Sequence, residues 1–415
     1  MAVAIAVFAV ALVLIASERV ERTKVALLGA VILVLTQTID QEQAIEAVDF
    51  NTIGLLAGMM VMVRLTENTG VYSWLAITTA HFSRGRSLLL VASLSFTTAV
   101  LSAFLDNVTT VLLVVPVTFM LADVFDIDPI PLVILEIIIS NIGGTATLIG
   151  DPPNILIAGH TGLSFMAFID NLTPIAALCC VAVTLGLYAV YRRRLQIDPR
   201  ERDAVMKLDA GDTIEDFDEA RRTVPILLAT IILFFLHKPL HIEPATVALT
   251  GAAVMLLVTR QKVTDALASI EWPTLFFLMG LFVMVGALEE VGALGEVAHG
   301  IDQITGSRAA DLLGIIWIAG LGGAVFDNIP FTAAMIPVVD TLAPPGDDAY
   351  WWALALGACF SGNALVISAA ANIAASGIAA QHGHPVTFMT FLKVGIPVTI
   401  GTLILATGYV LLRYV

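Results

Sequence analysis

Apolar runs close to the ~20 residues that cross a bilayer recur from the first residue of the chain to the last. They predict membrane segments over residues 2–16, 25–38, 50–65, 88–105, 109–122, 130–165, 172–191, 223–237, 244–259, 272–288, 309–326, 330–342, 351–380 and 388–412. Segments 130–165 and 351–380 are polar in the middle and predict broken helices. Asp106-Asn107 and Asp327-Asn328 each separate two apolar arms by a gap too short for an ordinary loop. They predict re-entrant hairpins over 88–122 and 309–342, which enter and leave the bilayer on one side. Residues 70–83 and 291–304 have mixed polarity and predict connecting helices at the interface. Residues 2–16 lack a basic leader and a cleavage pattern, so they read as a retained helix rather than a signal peptide.

The sharpest interruption of the apolar pattern is Ser140 to Asn154, SNIGGTATLIGDPPN. Gly143-Gly144 weakens helix continuity, and Pro152-Pro153 cannot donate backbone hydrogen bonds. A helix through this stretch must therefore break at depth, and unwound backbone is tolerated there only where it lines a protein-enclosed cavity. A merely kinked packing helix would need the prolines but not Asn141, Thr145, Thr147, Asp151 and Asn154.

Self-comparison finds a repeat. FNTIGLLAGMMVMVRLTENTGV, from Phe50, parallels EWPTLFFLMGLFVMVGALEEVGA, from Glu271. AFLDNVTTVLLVVPV, from Ala103, parallels AVFDNIPFTAAMIPV, from Ala324, and Asn154 falls near Asn372 of SGNALVISAAANIAAS. Residues 1–191 and 223–415 thus read as two repeats joined by a polar linker, 192–222. If residues 17–24 are cytoplasmic and the hairpins do not cross, all but Lys238, Arg308 and Arg413 of the 20 Lys and Arg lie inside, as the positive-inside rule asks. The second repeat then enters the membrane inverted, and the hairpin tips meet near the midplane. The expected fold is an all-α polytopic membrane protein of two inverted-topology repeats, each with a re-entrant hairpin and a broken helix, divided into scaffold and transport units.

Composition agrees, with 58% hydrophobic and 13% charged residues and a mean hydropathy of +0.92. The net charge of −15 offers nothing to nucleic acid. Cys179, Cys180 and Cys359 lie in apolar runs without metal-ligand spacing, so they read as packing, and no metal site is expected. The histidines fall mostly in loops, His237, His241, His382 and His384 among them, and read as surface.

The candidate chemistry is intramembrane. Asp106 and Asp327 occupy equivalent tips, and a carboxylate at depth is costly enough to mark function. Each is a candidate proton carrier or cation ligand. A cap on the following helix is the other reading of either residue alone. Neutral donors and acceptors surround them: Asn107, Thr109, Thr110, Asn328 and Thr332 from the hairpins, Asn141, Thr145, Thr147, Asp151 and Asn154 from the first break. Ser361, Asn363, Ser368 and Asn372 come from the second. Glu136, a turn from Ser140, reads equally as functional or structural.

At these residues, and at SNIGGTATLIGDPPNI above all, the chain resembles the ion transporter superfamily. The similarity is to the branch joining arsenite permeases, sodium/proton antiporters and the pink-eyed dilution (P) protein. It covers both repeats. More distant relatives, the divalent anion/sodium symporters, carry a Ser-Asn-Thr type tip on each hairpin. The matching positions here read Asp106-Asn107-Val108 and Asp327-Asn328-Ile329, which speaks against uptake of a dianion. The resemblance implies outer helices holding a homodimer, a mobile unit of hairpins and broken helices, no cofactor and no enzymatic activity. It also implies no use of ATP by the chain itself, and no GxxxxGKS or GxxxxGKT occurs; an arsenite pump would draw on a separate soluble ATPase partner. The leading expectation is proton-coupled efflux of arsenite or antimonite across a bacterial or archaeal cytoplasmic membrane. Sodium/proton antiport by the same aspartates comes second, and an anion permease of the dicarboxylate type or an ion channel stands below both.

Overall fold

The computed structural model describes residues 1–17, 19–197, 210–293 and 307–415, and the regular structure among them is helical. The first half runs α1 (Ala2–Ala16), α2 (Arg22–Leu35), α3 (Gln41–Glu46), α4 (Phe50–Glu67), α5 (Val71–Phe82), α6 (Ser87–Phe104), α7 (Asn107–Phe125), α8 (Ile130–Gly144), α9 (Pro152–Thr161) and α10 (Phe165–Tyr191). The second runs α11 (Phe217–Leu236), α12 (Pro244–Val258), α13 (Val263–Ala268), α14 (Trp272–Glu290), α15 (Arg308–Phe326), α16 (Asn328–Leu342), α17 (Ala349–Ser361), α18 (Ala370–Gln381) and α19 (Phe388–Tyr414). The order recurs: two helices, a six-residue helix, a long helix, a hairpin, a broken helix and a 27-residue closing helix, with α5 between long helix and hairpin in the first half. The connecting helix expected over 291–304 and the middle of the 192–222 linker lie outside the described residues from 294 and 198 onward.

Each hairpin turns on its aspartate, between α6 and α7 at Asp106 and between α15 and α16 at Asp327. Each carries a proline within its second arm, Pro116 and Pro337. Two expectations need correction. The helix expected over 130–165 ends earlier, because Gly162, at φ +64°, closes α9 after Thr161 and Ser164 caps a new helix. The prolines of the first break do not interrupt a helix. They are the first two residues of α9, where the missing N–H costs nothing, and the unwound stretch is Thr145 to Asp151.

In a bilayer, helices associate through close packing rather than through water exclusion, and small residues allow that approach. The scaffold follows this rule twice, in matched places. α4 packs on α12 and α14 on α2. A Cβ on Gly58 would lie 2.7 Å from the carbonyl carbon of Ala248, and one on Gly280 would lie 2.7 Å from that of Ala26. Each repeat thus holds the other through a Gly–Ala seam. α6 packs on α8 and α15 on α17 within the repeats, while α7 packs on α18 and α16 on α9 across them. Large apolar side chains, Leu35, Val190, Leu257 and Leu412 among them, stand exposed around the outside, as a lipid-facing surface requires.

Candidate transport site

The two breaks are pinned in the same way. Asn154, at the start of α9, donates from Nδ2 to the carbonyls of Thr145 (3.0 Å) and Thr147 (2.8 Å). Asn372, at the start of α18, donates to Gly362 (2.7 Å) and Leu365 (2.8 Å). One amide thus satisfies two carbonyls that unwinding released, which a buried site demands. The neighbouring hairpin closes each loop from the side: Thr147 Oγ1 donates to the Ala103 carbonyl and Ser368 Oγ to the Ala324 carbonyl, at 2.7 Å for the second. Gly144 and Gly150 let the first loop fold tightly, since a Cβ on Gly144 would lie 2.5 Å from the Gly150 carbonyl oxygen.

Between the breaks runs a buried chain of amides. Asn107 Nδ2, at the first tip, donates to Asn141 Oδ1 (3.1 Å) and lies 3.4 Å from Asp151 Oδ1. Asn141 Nδ2 in turn donates across the repeats to Asn363 Oδ1 (3.1 Å) and Asn372 Oδ1 (3.0 Å). The first tip therefore touches the broken helix at its break. Asp151 is fully buried, flanked by Asn328 of the second tip and Cys359 of α17, with Asp106 and Asp327 as its charged neighbours. Among the described residues, its Oδ2 has no hydrogen-bond partner, nor has Nδ2 of buried Asn363.

The other predicted residues separate into kinds. Thr110, Thr145, Thr332 and Ser361 donate to carbonyls of their own helices at 2.5–2.9 Å; they line the centre with hydroxyls already committed. The two tips differ. Asp106 caps α7 with both oxygens, taking the Thr109 N–H at 2.8 Å and the Thr109 hydroxyl at 2.5 Å. Asp327 caps α16 with one oxygen, from the Ile329 N–H at 3.1 Å, and turns the other to Arg22 at 3.0 Å. Asp327 also has φ +74°, a conformation that costs a non-glycine residue free energy and persists where the surroundings hold it. Among the described residues, no three His, Cys, Asp or Glu side chains stand close enough to hold one metal ion. A cation here would meet one carboxylate with amide and carbonyl oxygens.

Three participants were not read from the sequence. Arg22, counted there as a cytoplasmic loop charge, reaches the second tip. Glu271, which precedes α14, lies within electrostatic reach of Asp106 and Arg22. Cys359, read as packing, donates its thiol to Asn154 Oδ1 at 3.5 Å. His237 is a correction of the opposite kind, since it is no surface residue. It is buried, its Nε2 accepts from the Phe165 N–H at 3.2 Å and its Nδ1 faces the Ile242 carbonyl at 3.1 Å, so it clasps α10 to the end of α11. Glu136 is buried on α8, takes the Thr118 hydroxyl on one oxygen and, among the described residues, has no partner for the other.

Cavities of about 530 and 520 Å3 open at the two ends of the seam between scaffold and hairpins. The first is walled by Glu21, Arg22, Asp327 and Ala374, the second by Asp49, Asn51, His160 and Glu289. Asp151 lies in neither.

Comparison with known proteins agrees with this architecture. A family model described as "Citrate transporter" matches residues 12–357. An uncharacterized transporter of Mycobacterium tuberculosis (strain ATCC 25618 / H37Rv) is 40% identical, over 99% of this chain and 98% of its own. The P protein of Homo sapiens is 31% identical over 100% of this chain, which spans 60% of that longer protein. The solved YdaH transporter of Alcanivorax borkumensis, described as having an unusual topology, superposes with a TM-score of 0.60 over 87% of this chain and 85% of its own, at 16% identity. The chain therefore belongs to the citrate transporter family of the ion transporter superfamily, and it is a multi-pass membrane transporter.

Proposed function

We propose that the chain is a secondary transporter working by alternating access, in which Asp151 takes up and releases the coupling proton. The observation that carries this reading is the fully buried Asp151 carboxyl, one oxygen of which has no partner among the described residues. Burying such an oxygen is costly, and a proton or small cation supplies the missing partner. Asn107 and Asn328 bring both hairpin tips to the same carboxyl, so a shift of either hairpin alters its surroundings. Asp327, one oxygen of which is held by Arg22 from the scaffold rather than by its own helix, is the second coupling residue, and Asp106, with both oxygens held by Thr109 of its own helix, is the third.

The family description names citrate. The centre offers carboxyl groups and the guanidinium near it is already paired with Asp327, so a bare tricarboxylate finds no free counter-charge there among the described residues. Uncharged arsenite or antimonite, a small hydroxy acid met by asparagine amides and the free acceptor of Asp151, is therefore the leading cargo. Sodium exchanged for protons on the same carboxylates is the second reading. The test is flux into proteoliposomes of arsenite, sodium and citrate, each against an imposed pH gradient. Arsenite accumulation driven by that gradient supports the first reading, and sodium-for-proton exchange the second. Citrate carried with no dependence on either cation would defeat both.

A further inference from the structure

The Arg22–Asp327 ion pair joins two bodies. Arg22 opens α2, which packs along α14, and its guanidinium lies 5.2 Å over the ring of Phe277 on α14. Both supports of the guanidinium thus belong to the scaffold. Asp327 belongs to a hairpin tip whose second arm packs on α17 and, across the repeats, on α9. The pair is half-buried, with side-chain exposures of 26% for Arg22 and 12% for Asp327. Among the described residues, Arg22 is the cation paired with Asp327. Glu21 lines the same cavity and is bound to Lys24 at 3.0 Å. Glu271, Asp106 and Asp151, the other ionisable groups nearby, are carboxyls. The cavity of about 530 Å3 beside the pair gives water and ions a path to it.

We propose that Arg22 is an intramolecular counter-cation, which occupies Asp327 in place of the coupling cation in the conformation seen here and so commits the site to release that cation on this side. On the orientation predicted from the basic residues, this side is the cytoplasm. The inference rests on the cation-coupled reading and assigns it a direction. A guanidinium fixed to α2 and α14 cannot follow the tip when hairpins and broken helices move against the scaffold. Asp327 would then stand partly buried without its counter-charge, which is costly until a proton or sodium ion takes the vacated place. A cation that competes with Arg22 in one conformation and meets an empty carboxylate in the other binds the second more tightly, and differential affinity of this kind shifts the population.

The test reads that shift in membrane vesicles holding the full chain. Ala374→Cys, in the cavity wall, is reacted with an impermeant maleimide from the Arg22 side, and its rate is normalised to that of Thr264→Cys on exposed α13. With Arg22 present, labelling is expected to fall by about five- to tenfold as sodium or protons are raised. Arg22→Gln and Asp327→Asn should each abolish this dependence, and Arg22→Lys should retain it. Labelling of Arg22→Gln that still falls with cation would overturn the proposal, since something other than Arg22 would then compete. Labelling with Arg22 present that ignores cations, beside gradient-driven flux in the same vesicles, would also overturn it and leave the coupled reading standing. Flux that ignores both gradients would instead sink the coupled reading itself.

Discussion

Asn154 and Asn372 perform one task at matched positions, each amide holding two carbonyls of an unwound loop. Removing either amide orphans two buried acceptors at about 1–3 kcal/mol apiece. Asn154→Ala and Asn372→Ala should both lower the midpoint of thermal unfolding in detergent. The joint replacement of Pro152 and Pro153 by alanine should barely move it, because those prolines start α9 rather than break it. Equal losses for the proline and asparagine variants would mean that ring stiffness, not the amide, holds the loop open. These asparagines were legible in the sequence because a polar amide recurring at depth in both repeats has few structural explanations. Arg22 was not, since a basic residue just before an apolar run looks like any cytoplasmic flank; its target lies 305 positions away. Cys359 was hidden for the opposite reason, because a small buried thiol is ordinary packing until its neighbours are known. Its thiol points at Asn154, so Cys359→Ser should preserve the fold and change cargo flux more than Cys179→Ser, whose site is buried packing in α10. Flux unaffected by Cys359→Ser, with Asn154→Ala harmful, would return that cysteine to packing.

The hairpins, breaks and long helices could be found from apolar length and from the repeat, while the shortest elements could not. α3 and α13, six residues each, sit in corresponding places before α4 and α14. They carry too few residues for a periodic pattern, although Asp40 and Gln43 form a capping box that announces the first. Length alone also misleads at the hairpins, because α6 and α7, with 18 and 19 residues, are each as long as a spanning helix. Only the polar tips and their meeting with the breaks distinguish them. The Gly58–Ala248 and Gly280–Ala26 seams lie on matched elements, so Gly58→Ala and Gly280→Ala should destabilise by similar amounts, about 1–3 kcal/mol each. Thermal melts of the two variants check this, and a loss confined to one seam would show that the repeats do not share the scaffold equally.

At the scale of the whole chain, matched seams and crosswise packing of α7 on α18 and α16 on α9 give the molecule a pseudo-twofold frame, with a cavity at each end and Asp151 sealed between. The two repeats were legible, and their inversion in the membrane is the reading that the sorting of basic residues supports. The differences between the tips were not legible, because they depend on what reaches each aspartate from the scaffold. If the orientation holds, cysteines placed at Arg193 or Arg221 should label only from the cytoplasmic side of intact cells; labelling from outside would reverse the repeats. The most direct test of the central claim compares two fluxes of the same cargo in proteoliposomes, net accumulation driven by a pH gradient and exchange of cargo for cargo. Asp151→Asn keeps the shape and removes the titrating group. The account predicts that net accumulation collapses while exchange survives, with Asp327→Asn less severe and Asp106→Asn mildest. Gradient-driven accumulation by Asp151→Asn equal to that of the unaltered chain would contradict it.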